Sequence, residues 1–136
     1  MFLVLMIMHI LYIVRIGKMS EKYEKIKESR YQRFVFTLNQ CGKFLLDAND
    51  ESIETCIFEN FDIGIRGDVS DENLELFIDE GWIDENIKEK CIKLRELFLE
   101  IQANQSSIWN IPAVRVSDKW RVIMMLSDEI KSLLYF

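Results

Sequence analysis

Hydrophobic side chains recur at three- and four-residue steps along most of the chain, a spacing typical of helices that bury one face. The first such pattern follows Ser20, a residue type that caps helices, and predicts one helix over about residues 21–46 with a bend at Gly42. A second, shorter helix is predicted around residues 52–60. The apolar positions of the first helix are Tyr23, Ile26, Tyr31, Phe34, Val35, Leu38, Cys41 and Leu45.

Start and stop signals divide the second half of the chain into further helices. The stretch after residue 60 is interpreted as irregular because it contains Gly64 and Gly67. Ser70 or Asp71 is placed to begin the next helix, and Gly81 is placed to end it. The remaining signals are Asp84 as the cap of a helix reaching about residue 102, Pro112 in the first turn of a short helix, and Ser117 as the cap of the last helix.

These predicted elements indicate the fold class. No alternating apolar and polar run is long enough to predict a β-strand. The length of 136 residues suits one domain, and a composition of 49% hydrophobic and 29% charged residues is typical of a globular chain. We expect an all-α fold, a compact single-domain bundle of four to six helices.

The N-terminus carries an apolar run over residues 2–14, interrupted by His9. A helix of thirteen residues extends roughly 20 Å, whereas the hydrocarbon core of a bilayer is about 30 Å thick, which argues against a transmembrane helix. A signal peptide would place cations before the apolar run, but Arg15 and Lys18 follow it. The run therefore fits neither class of segment by these criteria.

The stretch MSEKYEKIK, which begins at Met19, has the character of an ordinary start of a soluble protein. We therefore expect residues 1–18 to be an apolar extension outside the native protein, produced by translation from an upstream start codon, or else a weak anchor. Residues 19–136 are then the helical domain. A chain beginning at Met19 would contain no histidine and would have a net charge of −8.

Charge is distributed unevenly along the chain. The whole sequence has 17 cations and 23 carboxylates, a net charge of −6. Residues 47–87 alone contain fourteen carboxylates against one cation, Arg66, a net charge of −13. An acidic surface repels nucleic acid and anionic lipid and attracts basic proteins. We therefore expect a basic protein as the partner, and we expect no nucleic-acid or membrane binding.

The predicted helix after Ser70 concentrates this charge. Asp71, Glu75 and Asp79 are spaced four residues apart, and like charges at this spacing destabilise an isolated helix by about 0.2–0.5 kcal/mol per pair. No cation nearby in the sequence offsets the repulsion, which favours a docking surface for Lys and Arg side chains of another protein. The candidate partner-binding residues are Asp62, Asp68, Asp71, Glu72, Glu75, Asp79, Glu80 and Trp82.

Both parts of this candidate surface have a structural alternative. The acidic helix face is also consistent with a solvated surface that keeps the protein soluble. An aromatic ring beside a carboxylate cluster, such as Trp82, suits an interface, but packing of the ring against the helices is the favoured interpretation.

Motifs for catalysis or metal binding are absent from the sequence. Neither Asp47 nor Asp68 starts an EF-hand loop, because the required glycine and the final glutamate are missing at the right spacing. No nucleophile–histidine set, Walker loop or G-x-S-x-G motif is present. We expect a non-enzymatic protein with no metal, no cofactor and no small-molecule substrate, in which Arg66 pairs with Asp62 or Asp68.

The cysteines indicate the redox environment. Cys41, Cys56 and Cys91 are odd in number and far apart, without a CxxC pair, which argues against a disulfide framework or a zinc site. Buried thiols in a reducing compartment are the plain interpretation. The predicted location is therefore the cytoplasm.

Two stretches of the chain resemble a known family. NFDIGI with SDENLELFIDEGWIDENIKEKCIKLRELF, and then IWNIPAVRVSDKWRVIMMLSDEIKSLL, resemble small, acidic, helical immunity proteins encoded beside bacterial polymorphic toxins, as in contact-dependent inhibition systems. The resemblance covers most of residues 20–136 and implies a cytoplasmic protein that binds and blocks a toxin domain. Such toxins are often basic nucleases, and carboxylates can mimic the phosphate backbone that a nuclease holds.

The sequence therefore favours a protein-binding protein that neutralises a basic partner such as a toxin nuclease. Three alternatives stay open at this point. They are a membrane-tethered regulator that uses residues 2–14, a helical adaptor whose partner is not basic, and a carboxylate- or metal-dependent enzyme.

Overall fold

Residues 2–134 of the chain are described by a computed structural model, and no β-strand occurs among them. Packing divides the chain into two compact units, one of residues 1–30 and one of residues 31–136. The first unit is helical throughout its described length, and the second contains the hydrophobic core. The predicted all-α fold is confirmed.

The first helix, α1, spans Phe2–Asn39 without interruption. The predicted start after Ser20 is wrong, because the residues on both sides of Ser20 favour helix and none of them is proline. The helix also ends before Gly42 instead of bending there, and the backbone at Gly42 is extended, with a φ of 167°. A Cβ atom at Gly42 would lie 2.9 Å from Lys131 Nζ. Glycine at this position therefore leaves room for Lys131, which belongs to the last helix of the chain.

A short 3-10 turn, Lys43–Asp47, connects α1 to one continuous helical segment over residues 50–67. This segment consists of α2, Asp50–Ile53, a π-helix, Glu54–Phe61, and α3, Asp62–Gly67. The side chain of Asn49 caps α2 by accepting a 2.8 Å hydrogen bond from Ser52 N. The helix predicted around residues 52–60 is present, but the stretch after it is helical as well.

The π-helix follows from the spacing of the buried residues. Ile53, Ile57, Phe61, Ile65 and Val69 are fully buried and recur every four residues. In an α-helix with 3.6 residues per turn, every fourth residue drifts by about 40°, so this series would wind away from the core. The wider i→i+5 turn of a π-helix reduces the rotation per residue and keeps the series directed at the core.

Gly64 brings α3 into close contact with α1. A Cβ atom at Gly64 would overlap the side chain of Thr37, which is buried. Thr37 Oγ1 in turn donates a 3.1 Å hydrogen bond to Asp68 Oδ2. The irregular stretch predicted through Gly64 is therefore wrong, because this glycine allows two helices to approach closely instead of breaking one.

Helices α4, Asp71–Asp79, and α5, Glu85–Asn104, begin and end close to the predicted signals. The side chains of Ser70 and Asp84 accept hydrogen bonds of 3.2 and 2.8 Å from backbone N–H groups three residues later, which confirms both as N-caps. Gly81 has a φ of +75°, the left-handed conformation that favours glycine after the end of a helix.

The last described part of the chain is also helical. It contains a 3-10 turn, Ser106–Ile108, then α6, Ile111–Val116, and α7, Asp118–Leu134. Asn110 caps α6 through a 2.9 Å hydrogen bond from Ala113 N, and Pro112 lies in the first turn as predicted. Ser117 is extended, with a ψ of 132°, and α7 begins directly after it.

The helices of residues 31–134 enclose one hydrophobic core. Trp120, Phe61 and Phe98 lie at its centre, with the rings of Phe61 and Phe98 4.9 Å apart. Trp120 Nε1 donates a 2.7 Å hydrogen bond to the carbonyl of Ile108, so its buried polar atom is satisfied. With the segment over residues 50–67 counted once, residues 2–134 contain six helices, and the predicted compact bundle is confirmed.

Candidate acidic docking surface

The two compact units differ in the sign of their net charge. Residues 1–30 contain six cations and three carboxylates, a net charge of +3. Residues 31–136 contain eleven cations and twenty carboxylates, a net charge of −9. The folded unit that contains the core is therefore strongly acidic, whereas the helical N-terminal unit is basic.

The acidic row of α4 has partners within the chain. Asp71 Oδ1 lies 2.7 Å from Arg95 Nη2, and Glu75 forms an ion pair with Lys88. The hydrogen bond that Lys88 donates to Glu75 is the main cause that raises the pKa of Lys88 above its usual value. Both cations belong to α5, which packs beside α4. The inference that this row lacks compensation is wrong for Asp71 and Glu75, because their compensating cations lie 24 and 13 residues further along the chain.

Two more predicted docking residues are also paired. Arg66 Nη1 lies 2.6 Å from Asp62 Oδ1, which confirms the predicted pairing of Arg66 with one of its neighbours. Gln102 Nε2 donates a 3.0 Å hydrogen bond to the same carboxylate oxygen. Asp68 contacts Arg33 Nε at 3.5 Å, in addition to the hydrogen bond that it accepts from the Thr37 hydroxyl group of α1.

The remaining predicted docking residues differ from one another. Glu72 and Glu80 take part in interactions within the chain. Asp79 is exposed and forms no ion pair among residues 2–134. Trp82 is half-buried, and its ring lies 5.2 Å from the ring of Tyr31 and 6.1 Å from that of Phe77. Trp82 therefore packs against the helices, as the favoured interpretation predicted, and its role in partner binding stays a prediction.

A second acidic face lies on the outer side of residues 50–67. Glu51 and Glu59 are exposed there, Glu54 is exposed at the edge of this side, and in the described part of the chain none of them has an ion pair or a side-chain hydrogen bond. Ile63 follows on the same side with 75% of its surface exposed. Together, Glu51, Glu54, Glu59 and Ile63 form what we call the outer acidic face.

The signal for the outer acidic face is present in the sequence. Glu51, Glu59 and Ile63 are offset by two residues from the buried four-residue series that begins at Ile53, which places them on the opposite side of the helix. The irregular stretch predicted after residue 60 separates Ile63 from the three glutamates, so the predicted elements do not contain this face as a whole. Most of the docking residues that the sequence suggested lie on or directly after the next helix, α4, whereas Asp62 and Asp68 lie at the two ends of α3.

The cysteine thiols are unsuited to nucleophilic chemistry. Burial raises the pKa of the Cys41 thiol to about 12, and burial raises the pKa of the Cys91 thiol to about 12 as well. Burial also raises the pKa of Cys56, which is half-buried. All three are free thiols, and their protonated forms are the stable ones at neutral pH.

An apolar groove of 330 Å³ lies between α5 and α7. Its floor is formed by Leu97, Ile101 and Ile123, and Val122 lies at its edge. No cysteine and no pair of neighbouring carboxylates lines it. Over residues 2–134, no three His, Cys, Asp or Glu side chains come close enough together to hold a metal ion.

Comparisons of the chain with protein-family models, with curated proteins and with solved structures find no match. The resemblance to toxin immunity proteins therefore stays a prediction from the sequence.

Proposed function

We propose that this chain is a non-enzymatic, cytoplasmic protein-binding protein that neutralises a basic partner, such as a toxin nuclease, through acidic residues of the unit over residues 31–134. The observation that carries the proposal is the outer acidic face, where Glu51, Glu54 and Glu59 are exposed and pair with no cation among residues 2–134. The net charge of −9 on this unit would also attract a basic protein.

Paired and unpaired carboxylates differ in what a basic partner must displace. To reach Asp71, an incoming lysine or arginine has to compete with Arg95 at 2.7 Å. To reach Glu54 it displaces only water and mobile salt ions. The outer acidic face, with Asp79 at the end of α4, therefore contributes more binding free energy than the ion-paired row of α4.

Ile63 gives the outer acidic face an apolar component. Interfaces between proteins bury apolar side chains at their centre and have a polar rim. Long-range attraction between charges mainly raises the association rate and selects the partner. An isoleucine that exposes 75% of its surface beside three carboxylates has the composition that such an interface needs. The carboxylates steer the basic protein, and Ile63 packs against it after docking.

A toxin nuclease suits this surface chemically. A nuclease holds the phosphate backbone in a cationic groove, and a row of carboxylates can occupy that groove in place of phosphates. The resemblance to immunity proteins points to the same class of partner. If the attraction is electrostatic, the association rate falls steeply as the salt concentration rises.

The test uses the gene immediately upstream of this one. The C-terminal domain of its product is produced in a host with and without this chain, and growth is measured. We expect the domain to arrest growth and the wild-type chain to restore it. We also expect a variant carrying Glu51→Lys, Glu54→Lys and Glu59→Lys to lose most of this protection.

The matched control carries Glu89→Lys, Glu96→Lys and Glu100→Lys on α5, which makes the same change in net charge at exposed positions. The control should protect as well as the wild-type chain, and circular dichroism should show that both variants are folded. Equal protection by the two variants would show that the outer acidic face is not the docking surface. An upstream domain that is not basic, or that the wild-type chain fails to block, would reject the toxin partner.

A further inference from the structure

We propose that residues 2–14 insert into a lipid bilayer and anchor the protein, with the basic stretch that follows lying against anionic headgroups on the cytoplasmic side. This inference concerns the N-terminal unit and does not depend on the proposed partner of the acidic unit. The ligand is a membrane containing anionic lipid.

The apolar run is exposed all round the helix. Every large apolar side chain from Phe2 to Val14 exposes between 47% and 82% of its surface. A protein groove would cover one face of such a helix and leave the opposite face in water. A bilayer surrounds the helix on all sides, and a helix that is apolar all round is typical of a membrane span.

The length of α1 also suits a bilayer. An 18-residue window of this helix has a mean hydropathy of 1.8, and by length and composition the helix is able to cross a membrane. Eighteen helical residues extend roughly 27 Å, close to the thickness of a hydrocarbon core. The apolar run of thirteen residues ends before Arg15. The inserted helix can be longer than this run, because the long side chains of Arg15 and Lys18 can reach the headgroups while their backbone lies deeper.

The charge that follows the run specifies both the lipid and the orientation. Residues 15–30 contain six cations and three carboxylates. Cations beside an apolar helix stay on the cytoplasmic side and bind anionic headgroups. The acidic unit on its own would be repelled by such a surface, so membrane attachment of this protein has to come from residues 2–30.

The competing hypothesis is a native chain that starts at Met19. Mass spectrometry of the native protein distinguishes the two, because only the anchored form yields peptides from residues 2–14. Recovery of these peptides from the membrane fraction supports the proposal. Native protein whose N-terminal peptide begins at Met19 would overturn it.

Insertion itself is tested with the full chain and lipid vesicles. The wild-type protein should float with phosphatidylcholine vesicles, float more completely when phosphatidylglycerol is included, and stay bound in alkaline carbonate. The variant carrying Leu5→Asp and Leu11→Asp should bind the vesicles more weakly by a factor of roughly one hundred or more. The reason is that an aspartate near the centre of an inserted helix is strongly disfavoured.

The matched control carries Val116→Asp and Val122→Asp, the same kind of change at positions with 76% and 51% exposure outside the N-terminal unit. It should float like the wild-type chain. Flotation of the Leu5 and Leu11 variant at the wild-type level would reject insertion. Binding that needs phosphatidylglycerol and is lost in carbonate would also reject it, because cations alone would then explain the attachment.

Discussion

Two glycines in the same short helix have opposite surroundings. Gly64 faces α1, where an added Cβ atom would overlap the side chain of Thr37. Gly67 lies three residues later with no atom within 4 Å of the position that a Cβ would take. Neither has a positive φ, so the difference between them is one of packing and not of backbone conformation.

Replacing Gly64 with alanine should therefore destabilise the fold by about 1–3 kcal/mol, the range for overfilling a packed core. Gly67→Ala is the matched control and should be neutral or stabilising by up to about 1 kcal/mol, because it removes backbone entropy from the unfolded chain. Urea unfolding followed by tryptophan fluorescence measures both. If Gly64→Ala is as stable as Gly67→Ala, the close packing of α3 against α1 is wrong.

At the scale of helices, local signals in the sequence were reliable where capping decides the boundary. Ser70, Gly81 and Asp84 lie where the sequence predicted them, because a cap or a left-handed glycine acts through the residues next to it. The start of α1 and the helical conformation of α3 were not predictable from such local signals. Ser20 has a suitable side chain but no helix end beside it, and Gly64 is explained by Thr37, which is distant in sequence.

The same difference between local signals and contacts between distant residues explains why the ion pairs of α4 were not predicted. Repulsion along the acidic row of α4 was visible in the sequence, but its compensation by Arg95 and Lys88 depends on how α5 packs against α4. A local pattern predicts which side chains share a helix face. It does not predict which cation from another helix will face them.

The two serines give a test at this scale. Ser70→Ala should cost about 1 kcal/mol of unfolding free energy, because the N–H group of Asn73 loses the hydrogen bond to its cap. Ser20→Ala, at a position where the sequence also suggested a cap, should change stability by less than about 0.5 kcal/mol, since Ser20 is exposed inside α1. Chemical denaturation of the two variants provides the comparison. Equal losses would mean that Ser70 does not act as a cap.

For the molecule as a whole, stability should depend on the buried thiols at alkaline pH. The usual pKa of a cysteine thiol is 9.0, and burial raises the pKa of Cys41 and Cys91 to about 12 in the folded state. Between these values the unfolded chain releases protons that the folded chain retains, so the stability present below pH 9 is lost as the pH rises towards 12.

Each thiol should lower the unfolding free energy by about 1.4 kcal/mol per pH unit over this range. To isolate the contribution of one thiol, the comparison is with Cys91→Ala, whose unfolding free energy should fall less steeply by that amount. Urea denaturation of both proteins at several values between pH 8 and pH 11 gives the slopes. Identical slopes would mean that the Cys91 thiol ionises as easily in the folded chain as in the unfolded one.

The position of the apolar run relative to the core has a consequence for how the protein is made. Residues 2–14 leave the ribosome before any core residue, since the buried core begins at Phe34 and extends to Ile130. At about 5–20 residues per second, roughly 6–25 s separate the synthesis of the run from that of the last core residue. On the membrane proposal, the anchor reaches the bilayer while the acidic unit is still incomplete. That unit then finishes folding at the membrane surface, and the cell never has to keep a finished protein with a bare apolar helix in solution.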